Sequence, residues 1–360
     1  MEKYSQFRDK GTPSHPHLYP STPSRDTGLT PTTGTAIAPF FPVPPPAASP
    51  LWAPVHLLLL TLRLFPVGVV SFFYFAFLEL LPTPTIIKKC VLWLLLAVPG
   101  VWWVDLQVDG VKRGNLSSPQ AKNALPKQGD IIASSFTSPL DPLYLAGIFC
   151  PVFVRSWPNE RRVQVISLFS AIWLAFSHPE VGPPEDAKLV ELKELGQKYP
   201  GSIICVFPES TTTNGRGILP LSPCLLTADT KTKIYPVNLR YTPGDITTPV
   251  PGGVLNWVWK LLSKPTHQMR VRIAHPIYNS ASLDTPSRGE KASSMEANIW
   301  DSPHMRNGLH TGEQEVLVGD GQKVLDRVGE DLARLGRVKR VGLTVSQKVD
   351  FVKLWKSRRR

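Results

Sequence analysis

The sequence predicts an α/β domain, a mixed sheet flanked by helices, preceded by an N-terminal membrane hairpin. Three observations predict it. From Val104 onward, short apolar β-branched runs alternate with segments of helical periodicity. Before that, Leu51 to Leu81 is almost wholly apolar, with His56, Arg63 and Glu79 as its interruptions. Between the two helical patterns of the second half, the run Gly201 to Phe207 ends in Pro208-Glu209-Ser210-Thr211-Thr212-Thr213-Asn214-Gly215-Arg216, an acid, a row of hydroxyls and an arginine on the loop leaving a strand.

The hairpin comes first. Leu64 to Leu81 approaches the roughly 20 residues that span hydrocarbon. Cys90 to Val104 is shorter and, at about 1.5 Å per residue, covers about 20 Å, so it dips in and returns. The linker Pro82 to Lys89 holds Pro82, Pro84, Lys88 and Lys89, a tight basic turn suited to the cytosolic surface, and Trp93, Trp102 and Trp103 fall where interfacial side chains are expected. The competing reading is a buried hairpin in the core of a soluble protein. A hairpin entering and leaving on one face is compatible with both the endoplasmic reticulum and a lipid-droplet monolayer.

Composition sets the surroundings. The chain has 360 residues, 42% of them hydrophobic, and a formal net charge of +12. That charge suits an anionic membrane surface or a nucleic acid; no zinc-finger spacing, RNP-like string or basic helix with interleaved aromatics accompanies it, so no nucleic-acid partner is expected. Cys90, Cys150, Cys205 and Cys224 are scattered without disulfide or metal spacing and read as reduced cysteines of a domain facing the cytosol. Residues 1–50 are rich in Pro, Ser, Thr and Gly and read as a disordered arm without the basic start and early apolar stretch of a cleaved signal. Residues 51–104 are the hairpin, 105–278 the α/β domain, 279–311 a mobile insertion without apolar periodicity, and 312–360 C-terminal helices with a basic tail ending in Arg358-Arg359-Arg360.

Within the α/β domain, Val104 to Lys112 alternates like an edge strand and Asn115 to Gln128 is a polar connector. Strands are expected over Asp130 to Ser135, Val152 to Arg155, Lys233 to Tyr241 and Gln268 to Ala274. Leu143 to Phe149 reads as a short helix, and Val163 to Phe176, apolar all round, as a buried helix or a channel wall. A helix spans Glu185 to Tyr199, with Leu189, Leu192, Leu195 and Tyr199 on one side and Pro200-Gly201 ending it. Val254 to Leu262, with Trp257 and Trp259, reads as a surface helix able to lie on lipid. Glu313 to Leu335 is helical, with Val316, Val324, Val328, Leu332 and Leu335 broadly on one side.

The chemistry-bearing residues lie on two strand-end loops. Ser135-Phe136-Thr137-Ser138-Pro139-Leu140-Asp141 follows one strand, where open α/β sheets place their chemistry. The Glu209 to Arg216 loop follows another. Arg216 offers a bidentate fork to phosphate, the hydroxyls donate to phosphate oxygens, and Glu209 can hold the arginine or a ligand hydroxyl; the bland alternatives are an ordinary turn and an exposed arginine. Ser138 lacks a nucleophile elbow. The histidines show no ligand spacing, and no metal is expected.

These loops resemble sequence blocks of the glycerolipid (PlsC-like) acyltransferases, above all the fungal lysophosphatidic acid acyltransferases of lipid droplet and endoplasmic reticulum. Phe207-Pro208-Glu209-Ser210-Thr211 is similar to the family's Phe-Pro-Glu-Gly-Thr, with Ser210 where Gly is usual. Thr137-Ser138-Pro139-Leu140-Asp141 is similar to the end of the family's His-x4-Asp block, with Phe136 in place of the histidine. Ile234 to Tyr241, with Pro236-Val237, is similar to a further block. The family's Ile-Asp-Arg block is absent, and Val163 to Pro179 stands there. The resemblance covers roughly residues 104 to 280. It implies transfer of an acyl group from acyl-CoA, as co-substrate and with no other cofactor, to lysophosphatidic acid or a related lysophospholipid. It implies catalytic roles for Asp141, Thr137 and Ser138, and substrate binding by Glu209, Ser210, Thr211, Arg216 and Pro236.

In the family the histidine is general base and the aspartate holds its tautomer. A phenyl ring does not titrate, so three alternatives stay open: Asp141 acts as base, a displaced histidine such as His178 reaches the site, or catalysis is lost. A catalytically silent lipid-binding or trafficking scaffold, and a hydrolase using Ser138, are the readings from other classes.

Overall fold

The computed structural model describes residues 6–8, 37–46, 50–81, 83–112, 115, 118–279 and 312–357. Most of the expected disordered arm, Pro82 of the expected basic turn, nearly all of the expected insertion (280–311) and the Arg358 to Arg360 tail lie outside them.

In chain order the elements are α1 (Ala53–Phe73), α2 (Thr85–Ala97), β1 (Trp103–Val108), α3 (Pro119–Ala124), β2 (Ile131–Ser134), α4 (Leu140–Phe149), β3 (Val152–Arg155), β4 (Val163–Ile166), α5 (Leu168–Leu174), β5 (Leu189–Val190), α6 (Leu192–Lys198), β6 (Ile204–Val206), β7 (Gly217–Ile218), β8 (Lys233–Thr242), α7 (Val254–Leu262), β9 (Gln268–Ile273), β10 (Ile277–Tyr278), α8 (Gly312–Gly336), β11 (Lys339–Arg340) and α9 (Val345–Ser357). The main sheet runs β1-β9-β8-β2-β6-β3-β4-β5, with β10 on β8. Its centre, β8-β2-β6-β3, is parallel; β9 is antiparallel to β8, and β4 and β5 close the other end antiparallel. The expected mixed sheet flanked by helices is therefore present.

Burial explains the central strands. Every residue of β2 and β6 is buried, because helices cover both faces, so these strands read as continuous apolar runs. One face belongs to a cluster that includes Leu92, Leu96, Phe136, Leu145 and Phe207. The other belongs to a cluster in which α8 contributes Val324, Val328 and Leu332. Pro236, buried in β8, fits a central strand because the neighbour changes beside it. β10 pairs with residues 233–234 and β9 with residues 237–242, and the absent N–H falls in the gap.

The N-terminal helices differ from one another. α1 continues through a π-helical turn (Tyr74–Leu78), and the combined Ala53–Leu78 helix, 26 residues, is long and apolar enough to cross a membrane. No side chain of α1 itself is buried. Arg63 ties the helix to the domain, donating to the carbonyls of Pro99, Leu262, Lys264 and Pro265. In contrast α2 buries Leu92, Leu95 and Leu96 in the protein core, so the second apolar run owes part of its hydrophobicity to packing on the domain.

Three other expectations change. Val163 to Phe176 is not one buried helix: Val163–Ile166 joins β3 and β5, the Ser167 hydroxyl then caps α5, accepting from the Ser170 N–H at 3.1 Å, and Phe169 and Trp173 are exposed. The helix expected over Glu185 to Tyr199 is confined to Leu192–Lys198, because Leu189 and Val190 pair with β4. Part of the supposedly disordered arm is docked: Phe7 and Phe40 are buried in a cluster with Phe351 of α9.

Candidate active site

Asp141 stands in the first turn of α4 and turns its carboxylate back on the residues before the helix. Oδ2 accepts from the Thr137 N–H at 2.6 Å, the Ser138 N–H at 2.9 Å and the Thr137 hydroxyl at 3.1 Å, and Oδ1 accepts from the Tyr241 hydroxyl. Free N–H groups at a helix start favour an anion there. Burial pushes the Asp141 pKa up to about 6, against the downward pull of the Tyr241 hydroxyl and the Thr137 and Ser138 donors. Three donors crowd Oδ2 and one occupies Oδ1, so most of the carboxylate's accepting capacity is committed within the protein. Asp141 is thus a brace for residues 137–141, and the geometry does not favour it as the base.

Phe136 fills the space before that brace. Its ring is fully buried and stacks on Phe207, centroids 4.4 Å apart and planes inclined by 25°; Phe207 in turn stacks on Phe153 at 6.3 Å. Ser138 donates to the Ile246 carbonyl at 3.0 Å, which commits the proton a nucleophilic hydroxyl would have to lose. His178 lies at the surface with Nε2 2.7 Å from Lys356 Nζ, and no hydrogen bond joins it to Asp141 among the described residues. The displaced-histidine alternative therefore has no support in the contacts, and neither has the Ser138 hydrolase.

The two motif loops are direct neighbours. The Thr213 N–H donates to the Phe136 carbonyl at 3.0 Å, and the Thr248 N–H to the Thr137 carbonyl at 2.9 Å; the Thr212 hydroxyl donates to the Thr248 carbonyl at 2.6 Å. Ser210 has φ of 57°, the left-handed region that glycine tolerates without cost. The resemblance puts Gly at this place, and here a serine pays the strain while its hydroxyl lies 3.0 Å from that of Ser156, which itself donates to the Phe207 carbonyl.

Glu209 is buried. Its Oε2 accepts from the Leu219 N–H at 3.1 Å, and Oε1 has no partner among the described residues. Burial pushes its pKa up to about 8, opposed by the Leu219 and Phe136 amides and by the charge of Lys348. Lys348, on α9, is fully buried beneath the loop and donates to Thr211 Oγ1 at 2.8 Å, the Thr212 carbonyl at 2.6 Å and Thr212 Oγ1 at 3.0 Å. Burial lowers its pKa to about 7, with Glu209 acting against the fall. Sequence reading missed this lysine. Its signal was present, a lone cation on the apolar stripe of Val345, Phe351 and Val352.

Arg216 goes elsewhere. It is exposed and lines an open hollow with Ile37, Arg240, Arg337, Val338 and Lys339, while Glu209 faces the Leu219 amide and the charge of Lys348. The structure thus gathers Thr137, Ser138, Asp141, Glu209, Ser210 and Thr211 in one hydrogen-bonded region, leaves Pro236 as strand-forming, and turns Arg216 outward.

Comparison with known proteins adds one relative. Over 147 residues, 41% of the chain, it is 31% identical to a Schizosaccharomyces pombe protein named "Putative lysophosphatidic acid:oleoyl-CoA acyltransferase". The chain is homologous to an acyltransferase-named protein. The glycerolipid acyltransferase resemblance read from the motifs therefore stands. The match spans about half of the relative's length, 48%. No protein-family model matches the chain, and no solved structure does.

Proposed function

We propose that the chain is a membrane-associated acyltransferase that moves a fatty acyl group from acyl-CoA onto lysophosphatidic acid, or a related lysophospholipid, to make phosphatidic acid. The observation that carries this reading is the joining of the two motif loops, by the Thr213 N–H donating to the Phe136 carbonyl and by Thr248, which donates its N–H to the Thr137 carbonyl and accepts from the Thr212 hydroxyl, in a homologue of a protein bearing that activity in its name. The exposed apolar α1, together with Phe169, Trp173, Leu255 and Trp259, supports work at a lipid surface, the endoplasmic reticulum or a lipid droplet.

In this reaction the substrate hydroxyl attacks the thioester carbonyl carbon. The C–O bond forms, the C–S bond breaks, and the hydroxyl proton ends on the CoA sulfur. With Phe136 in the histidine's place, the chain contributes positioning. Asp141 holds residues 137–141, Lys348 holds Thr211 and Thr212, and burial, by raising the Glu209 pKa, favours a protonated carboxyl that can donate from Oε1. Positioning without a general base leaves turnover about 100- to 10,000-fold below that of a histidine enzyme. The second reading, a silent lipid-binding scaffold, is favoured by the same Phe136 stack and the structural hydrogen bonds that occupy Asp141.

The test is transfer of the labelled oleoyl group from oleoyl-CoA to lysophosphatidic acid by detergent-purified protein, with Glu209→Leu, which removes the donor, as control. Activity lost in the variant supports a histidine-independent acyltransferase. Folded protein no more active than the variant supports the scaffold.

A further inference from the structure

The hollow beside Arg216 is built by two parts of the chain far apart in sequence. β11 pairs with β7 in parallel, Lys339 opposite Gly217 and Arg340 opposite Ile218, and this short ladder sets Arg337 and Lys339 next to Arg216. Arg240, on β8, joins them by donating to the Gly336 carbonyl at 3.0 Å. The hollow encloses about 440 Å³. Neighbouring cations are neutralised: Arg334 pairs with Asp109 and Asp331, and Arg340 with Asp326. Arg216, Arg240, Arg337 and Lys339 have no carboxylate within ion-pair distance among the described residues.

The backbone at Arg337 is a second, independent sign. α8 ends in a Schellman turn: the Arg337 N–H donates to the Arg334 carbonyl at 3.1 Å and the Val338 N–H to the Ala333 carbonyl at 2.9 Å. The residue after such a helix end takes the left-handed conformation, and glycine is the usual occupant. Here an arginine holds φ of 51°. A strained backbone that carries a cation into an already cationic hollow costs stability twice, once sterically and once by repulsion among like charges.

We infer that the hollow of Arg216, Arg240, Arg337 and Lys339 is a binding site for a phosphate monoester dianion. Guanidinium groups match phosphate oxygens in pairs, and a dianion removes the repulsion among the four cations. Two substrates of the proposed reaction carry such a group, the lysophosphatidate headgroup and the 3′-phosphate of CoA. The inference rests on that reading for the identity of the ligand but not for its chemistry, because binding is read without turnover; a chain that transfers no acyl group can still have the site.

Equilibrium binding to the full chain in detergent micelles tests it, with lysophosphatidate against monoacylglycerol and CoA against CoA lacking its 3′-phosphate. Arg337→Gly and Lys339→Gln are each expected to weaken phosphate-dependent binding about tenfold, the usual worth of one charge-assisted contact, while exposed Lys353→Gln leaves it unchanged. Arg337→Gly, relieving the left-handed strain, is also expected to melt higher than the wild type, so lost affinity cannot be assigned to unfolding. A loss with lysophosphatidate but not CoA identifies the headgroup as the ligand, and a loss confined to CoA bearing its 3′-phosphate identifies the acyl donor. Unchanged affinity for both ligands in the two variants would overturn the site.

Discussion

Phe136 lies face to face with Phe207, 4.4 Å between ring centroids, at the position where the related family carries its base. The residue that should titrate is packed as core, and its neighbour Asp141, instead of orienting an imidazole, accepts four hydrogen bonds from Thr137, Ser138 and Tyr241.

Restoring the imidazole tests the reaction. In Phe136→His the ring loses part of its stack, at a cost of about 1–3 kcal/mol. Provided the variant folds, its transfer from oleoyl-CoA to lysophosphatidate should rise about 100-fold, and its pH–rate profile should acquire a limb near the histidine range. A folded variant no faster than the wild type would place the defect outside the base.

Lys348 should be as important as any motif residue. Lys348→Met removes three hydrogen bonds to Thr211 and Thr212 and leaves Glu209 without its nearby cation. Leaving these buried partners without their donor costs about 1–3 kcal/mol, visible as a lower melting temperature, and KM for the lysophospholipid should rise more than kcat falls. A melting temperature equal to that of the wild type would show that the lysine does not support the loop.

Glu209 gives a pH dependence of definite sign. Its folded pKa is raised from 4.5 to about 8 by burial. Between those values the folded chain holds a proton that the unfolded chain has released, so this group's contribution to stability falls as pH rises through the window. Glu209→Gln does not titrate. Its melting temperature relative to the wild type should therefore improve steadily from about pH 5 to about pH 8, and a constant difference would contradict the burial of an ionisable Glu209.

The lipid-facing role proposed for α1 is open to a simple measurement. Leu58 and Leu62 are 65% and 68% exposed, and burying each leucine in lipid contributes about 1.5–3 kcal/mol. Leu58→Asp with Leu62→Asp should reduce co-flotation with anionic vesicles by about tenfold or more and leave the melting of the α/β domain unchanged. Undiminished flotation would assign membrane contact to another surface.

The sequence alone determined the local elements whose side chains are set by burial period. The strands at Ile131, Val152, Ile204 and Lys233 and the helix Val254–Leu262 were all legible, because a strand covered on both faces must be apolar throughout and an amphipathic helix must repeat every 3.6 residues. It also located the two motif loops and the substitution at Phe136. Tertiary structure decided what those loops became. Leu189 follows a helical spacing with Leu192 and Leu195, yet it joins the sheet together with Val190, since pairing with β4 satisfies their backbone groups. Lys348 is 137 residues from Thr211 and Arg337 is 121 from Arg216 (337 − 216), and no local pattern reports contacts that exist only after the chain has folded back on itself. Phe136 has the same identity in the sequence and the structure; only packing against Phe207 reveals that its place has become hydrophobic core.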